Sequence, residues 1–182
     1  VGIPASIDND LDATNTSIGV DTALNTIIES LDRVRDTASS HTRAFIIEVM
    51  GRNCGYLAII ASIVGGAEIV SVPEREISMD GIHDALADAY VRGKSHAVAI
   101  IAEGVSYKST DLVDYLSTKE DVGFEVRLTI LGHIQRGGSP SAFDRLLATR
   151  MGVKALEVLR AGESGVMVSL DGRDLTTVPI EQ

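Results

Sequence analysis

The chain has 182 residues, 45% of them apolar and 23% charged, with a net charge of −10. That length fits one domain or a tight pair of small ones with a sizeable core, and the negative charge excludes a general nucleic-acid or anionic-membrane surface. No window approaches the roughly 20 apolar residues of a membrane span, and Cys54 stands alone, so no intrachain disulfide or cysteine-built zinc site forms; with no signal-like start, the chain reads as cytoplasmic.

The opening residues VGI read as the tail of a buried strand, and a start without Met leads us to expect a segment upstream. From Val20 the apolar residues Ala23, Leu24, Ile27, Ile28, Leu31 and Val34 recur at three- and four-residue steps, which predicts an amphipathic helix ending near Ser39. The continuous run AFIIEV from Ala44 predicts a strand buried on both faces. The alternation then repeats: a helix from Tyr56 to Val64, a strand EIVSV from Glu68, a helix from Asp80 to Arg92, and a strand AVAIIA from Ala97. A helix from Asp111 to Leu116, a strand FEVRLTIL from Phe124, a helix from Ala142 to Leu159 and a strand GVMVSL from Gly165 complete the series, with DGRD at Asp171 as a turn. This βαβα rhythm predicts an α/β fold, a parallel sheet sandwiched between helices in three layers.

Four polar clusters interrupt the pattern, each just after a predicted strand: IDND, MGRNCG, AEG and GHIQRGGSP. Ligands of open α/β sheets bind beyond the carboxyl ends of the strands, so these loops are expected to converge on one cleft. Their Arg and His residues point to an anionic ligand, and the 12 Arg against 4 Lys fit bidentate grip of phosphate or carboxylate. Asp8 and Asp10, with Ser6, Thr14 and Thr16 nearby, suit a base beside a magnesium ligand; they equally suit an Asx-turn with helix capping, and local spacing does not separate the two. Arg52 between two glycines can approach a phosphate closely. Cys54, lacking a histidine partner, reads as a packing residue. His133 and Arg136 precede a glycine pair and a helix start, where backbone N–H groups favour an anion, although the glycine pair equally suits a simple turn. His41, His83 and His96 share no metal-ligand spacing and read as solvated or capping.

Together the clusters closely resemble the phosphofructokinase family. PASIDND is similar to its catalytic loop, MGR to its sugar-contacting loop and LGHIQRGGSP to its most distinctive phosphate-site segment, with further similarity at SSHTR from Ser39, GGAE from Gly65 and RGK from Arg92. The resemblance implies phosphoryl transfer from ATP to the 1-hydroxyl of fructose 6-phosphate, giving fructose 1,6-bisphosphate in glycolysis, with Mg²⁺ as cofactor. It implies Asp8 as the base, Asp10 as a metal-side residue, Ser6 at the transferring phosphoryl group and Arg52 against its developing charge. Met50, Gly51 and Glu103 are then expected at the sugar, and His133 and Arg136 on the substrate. Arg43 and Arg127 match arginines that reach the sugar 6-phosphate across a subunit boundary, and a homotetramer is expected for the complete enzyme. Effector residues of bacterial members align with Arg35, Glu68, Arg92 and Lys94, while Ser95 replaces a frequent second lysine.

The family's GGDG donor loop does not occur in this sequence, so the expected organisation is a donor-side part formed by 1–19 and 132–182, incomplete at its N-terminus, and a sugar-phosphate and effector side formed by 20–131. On that reading the chain alone would turn over negligibly. Ala5 stands where ATP users carry Gly and pyrophosphate users Lys, which favours ATP. The alternatives are a pyrophosphate-dependent enzyme and a catalytically silent sugar-phosphate or effector module.

Overall fold

The computed structural model describes residues 1–38 and 42–181; His41 and most of SSHTR lie outside them. In chain order the elements are α1 (Val20–Ala38), β1 (Arg43–Val49), α2 (Tyr56–Gly65), β2 (Ile69–Ser71), α3 (Met79–Val91), β3 (His96–Ala102), α4 (Ser109–Ser117), β4 (Glu125–Ile130), α5 (Ala142–Arg160), β5 (Val166–Asp171) and β6 (Asp174–Pro179). Short 3₁₀ turns cover Glu120–Val122 and Gly132–Arg136.

A parallel sheet in the order β2-β3-β1-β4 forms the centre. Its two inner strands explain their sequences: Ala44 to Ile47 and Ala97 to Ala102 are continuously buried because helices cover both faces. On one face Ile27 and Leu31 of α1 and Leu57 and Ala61 of α2 pack with Phe45, Ile47, Val98 and Ile100. On the other, Ile82 and Leu86 of α3 and Leu112 and Leu116 of α4 pack with Ala44, Ile46, Ala99 and Ile101. No helix among the described residues is long and apolar enough to cross a membrane.

The last predicted strand departs from this scheme. β5 does not join the parallel sheet; it pairs antiparallel with β6, a strand the sequence pattern did not reveal, across a turn at Gly172 and Arg173. Only part of β6 is covered, and DLTTVP carries no apolar run to announce it. The opening VGI is likewise less buried than expected: Gly2 bridges alongside Met167 of β5, while Val1 and Ile3 are exposed. Leu147, Met151 and Ala155 of α5 pack on Val168 and Leu170 of β5 as a third apolar cluster.

One buried carboxylate joins this cluster to the main sheet. Asp144, in the first turn of α5 and 2% exposed, accepts the Gly19 N–H at 2.9 Å and the Thr22 N–H at 2.8 Å, and also the Thr22 hydroxyl. Thr22 in turn accepts the Ser141 N–H at 3.0 Å, and Ser141 caps α5 by accepting the Asp144 N–H at 3.1 Å. The N-termini of α1 and α5 thus cap one another, and the acid is placed where both helix dipoles favour it. Asp144→Ala leaves two N–H groups at the start of α1 without their acceptor, so denaturant unfolding should show a loss of about 3–5 kcal/mol, within the range for breaking a buried charge's hydrogen bonds. Asp144→Asn, which keeps one acceptor oxygen, should lose less.

His83 corrects the solvated reading. It is buried on α3, with Nδ1 3.0 Å from Asp84 and Nε2 2.9 Å from Asp121, because the 3₁₀ turn after α4 brings Asp121 against α3. Hydrogen bonding to Asp84, joined by that to Asp121, raises the His83 pKa against the opposing effect of burial. A raised folded-state pKa means stability that is fully present below the ordinary histidine value, near 6.5, and lost as pH rises through the elevated one. Accordingly His83→Gln should lower Tm at pH 5.5 more than at pH 9, as thermal denaturation across that range will show.

Candidate active site

Three of the four polar clusters leave the carboxyl ends of neighbouring parallel strands: Met50 to Gly55 after β1, Glu103 and Gly104 after β3, and Leu131 to Pro140 after β4. Backbone bonds hold these ends level, Glu103 N–H to Val49 O at 2.8 Å and Leu131 N–H to Glu48 O at 3.0 Å. The β1 and β3 loops lie so close that a Cβ on Gly104 would strike the carbonyl of Arg52, and Gly51, at φ +135°, has the Cys54 carbonyl in the same position. Only glycine meets both demands.

The fourth cluster, IDND, closes over them from the N-terminal segment. Asn9 takes a left-handed φ of 54°, which its short polar side chain tolerates by accepting the Ser17 N–H at 3.1 Å and donating to Asn15 O at 3.2 Å. The Asn9 carbonyl faces the Cys54 sulfur at 3.9 Å, joining this loop to MGRNCG. Burial pushes the Cys54 thiol pKa up, in keeping with packing and against nucleophilic use.

Within this cluster Asp8 is half-buried, and its Oδ1 is enclosed without a hydrogen-bond partner, so it does not cap a helix. Its pKa is raised first by burial and then by the Asp10 carboxylate, while the charges of Arg136 and Arg52 pull it down. Ala5, Ser6, Ile7, Asp8 and Arg136 line a cleft of about 360 Å³. Asp10 is exposed and accepts the Ser6 hydroxyl at 2.6 Å. Arg52, Glu103, His133 and Arg136 are exposed at the same end of the sheet. Met50 differs: its side chain is 4% exposed in the core, and its N–H donates to Gln135 Oε1 at 3.2 Å.

Gln135 was visible in the sequence only as part of a motif. It is 1% exposed and also donates from Nε2 to Gly132 O at 2.9 Å, tying the β4 loop to the β1 loop. Asp144, likewise unmarked by the sequence pattern, fixes the Gly19 end of the IDND segment on α5.

Two expected groups of residues lie elsewhere. Arg43 sits at the opposite end of the sheet and Arg127 two residues into β4, both bound to Glu125, Arg43 through Nε at 2.9 Å. β1 runs seven residues from Arg43 to Val49, roughly 20 Å, so Arg43 does not reach the Asp8 cleft of its own chain, and Arg127 is turned toward Glu125 at the start of β4. Arg35, Glu68 and Lys94 line a separate cleft of about 350 Å³ together with Ser95 and His96. There Lys94 binds Glu68 at 2.6 Å, and Arg35 donates to Gly66 O at 3.0 Å with its Nε buried and unpartnered. Arg92 pairs with Glu68 at 3.5 Å and Asp88 at 3.0 Å.

Comparison with known proteins bears on the family and the fold. The Phosphofructokinase family model matches residues 1–159. An ATP-dependent 6-phosphofructokinase of Natranaerobius thermophilus is 49% identical over 181 residues, covering 100% of this chain and 55% of that protein. One from Clostridioides difficile is 47% identical over 182 residues, covering 100% and 56%. The chain therefore spans about half the length of these relatives. Among solved structures, the phosphofructokinase of Pichia pastoris in the T-state superposes with a TM-score of 0.85 at 38% identity, covering 96% of this chain and 21% of that one. On sequence, motif and fold alike, the chain belongs to the phosphofructokinase family.

Proposed function

We propose that the complete protein is an ATP-dependent 6-phosphofructokinase and that this chain supplies its acceptor-side chemistry. The observation that carries the reading is Asp8, which lines a cleft with Arg136, lies under the charge of Arg52 and has a carboxylate oxygen without a hydrogen-bond partner. A carboxylate kept without a partner is poised to accept a proton, here that of the sugar 1-hydroxyl. Burial and Asp10 raise its basicity, while the two arginines keep it ionised. Arg52 steadies charge developing on the transferring group; Ser6 lies beside it, and His133, Arg136 and Glu103 orient the sugar phosphate.

Among the described residues no group of three or more His, Cys, Asp or Glu gathers to cage a metal. The donor set fits Mg²⁺ held by few protein carboxylates, with Asp10 as the side chain offered and water and phosphate oxygens completing the shell. Bound there, the ion would neutralise phosphate charge.

The site is shared between subunits on this reading. Arg43, at the far end of the sheet, and Arg127, paired with the same Glu125, complete a neighbouring subunit's site at the sugar 6-phosphate, which makes a homo-oligomer, a tetramer in the full enzyme, part of the mechanism. The division of labour follows, with 1–19 and 132–182 on the donor side and 20–131 on the sugar side. The cleft of Arg35, Glu68 and Lys94 supports a second, regulatory anion site. Ala5, exposed at the cleft, presents no ammonium to a free pyrophosphate, and the relatives' names likewise carry ATP.

In the full-length enzyme, Asp8→Ser should reduce kcat by roughly 10² to 10⁴ with fructose 6-phosphate affinity little changed; normal turnover would remove Asp8 from the chemistry. Steady-state assays should give a higher kcat/KM for ATP than for pyrophosphate, and the reverse order overturns the donor assignment. Asp8→Ser and Arg43→Ala subunits, each inactive alone, should regain activity when allowed to exchange; verified mixed oligomers with no gain above the sum of the parents contradict the shared site.

A further inference from the structure

The segment between β2 and α3 carries no motif, yet its two carboxylates reach two different site loops. Glu74 Oε1 accepts the Gly55 N–H at 2.8 Å, in the loop that carries Arg52 and at the residue capping α2. α2 has no acidic residue in its first turn, and its cap residue makes no side-chain bond, so Glu74 supplies from outside the negative charge that this helix end lacks. Glu76 grips Ser106, three residues beyond Glu103, with both oxygens: it accepts the Ser106 N–H at 2.7 Å and the hydroxyl at 2.6 Å. The segment between them is itself fixed. Arg75 N–H bonds Val72 O at 3.0 Å, Ile77 N–H bonds Ser71 Oγ at 3.0 Å, and the Tyr107 hydroxyl bonds Ile77 O at 3.0 Å. The loops it holds meet without spare room at Gly104 and the Arg52 carbonyl, so a shift of either is felt by the other.

We propose that Glu74 and Glu76 are positioning residues for phosphoryl transfer: a single strap sets the Arg52 loop through Glu74 and the Glu103 loop through Glu76. This rests on the phosphofructokinase reading above and adds to it a division of effects. Arg52 acts on charge that appears only in the transition state, so displacing it lowers kcat; Glu103 holds the sugar in the ground state as well, so displacing it raises KM. Small displacements suffice, since about 1 Å at a reacting group costs up to roughly a hundredfold.

The test uses the full-length enzyme with fructose 6-phosphate and magnesium-ATP. Glu74→Ala should lower kcat roughly tenfold with KM for the sugar phosphate within about twofold, and Glu76→Ala should raise that KM roughly tenfold with kcat within about twofold. Ser106→Ala, which removes one of the two bonds to Glu76 and preserves the backbone, should raise KM by about threefold. Glu74→Gln and Glu76→Gln keep an acceptor oxygen and should stay near wild type in both constants. Leu116→Ala, a core truncation in α4, provides a destabilised control whose kcat and KM should not move. Folded alanine variants with both constants unchanged overturn the proposal, as do glutamine variants no better than alanine ones or a Leu116→Ala enzyme showing the same changes. An unsubstituted enzyme with no activity on fructose 6-phosphate overturns the phosphofructokinase reading and this inference together; an active one with indifferent variants overturns the inference alone.

Discussion

The reciprocal capping of α1 and α5 is the constraint on which the arrangement of the candidate site depends. Asp144 places one carboxylate against the free N–H groups of α1, and Thr22 and Ser141 return bonds to α5. Just before α1 lies the loop with Asp8 and Asp10; just before α5 lies the segment with His133 and Arg136. Fixing the two helix starts together therefore fixes the two loops together, although they are more than a hundred residues apart in the chain. A buried charge is costly unless its oxygens are bonded, and here three donors converge on it. The joint is thus specific as well as strong: a shifted register would leave the acid buried and unsatisfied.

A second consequence of the fold is that the residues proposed to contact the sugar phosphate are spread along the same sheet. The carboxyl ends of the strands gather Arg52, Glu103, His133 and Arg136, while Arg43 at the opposite end and Arg127 within β4 both bond Glu125. On the proposed reading, a sugar phosphate contacted by both groups draws on two copies of the chain. Asp8, the base of the proposed reading, has its pKa raised by burial and by Asp10 and pulled down by Arg136 and Arg52.

Much of the fold is legible in the sequence. The three- and four-residue spacing from Val20 and the branched runs at Ala44 and Ala97 specified α1, β1 and β3, since each depends on periodicity and burial alone. β6 was not legible, because its Thr-rich, half-covered sequence becomes a strand only by pairing with β5. The same is true of His83, whose two carboxylate partners include one 38 residues away. Asp8, Arg52 and Arg136 stand in motifs that the sequence displays, whereas the roles of Gln135, Asp144 and Glu76 rest on bonds between distant segments, for which local spacing offers no signal.

The most direct measurement is a crystal structure of the complete enzyme with fructose 6-phosphate bound. The account requires the sugar 1-hydroxyl within hydrogen-bond reach of an Asp8 carboxylate oxygen, about 3 Å, and the 6-phosphate against Arg43 and Arg127 of a different subunit. A sugar whose 1-hydroxyl points away from Asp8, or whose 6-phosphate is held entirely by the subunit that supplies Asp8, contradicts it.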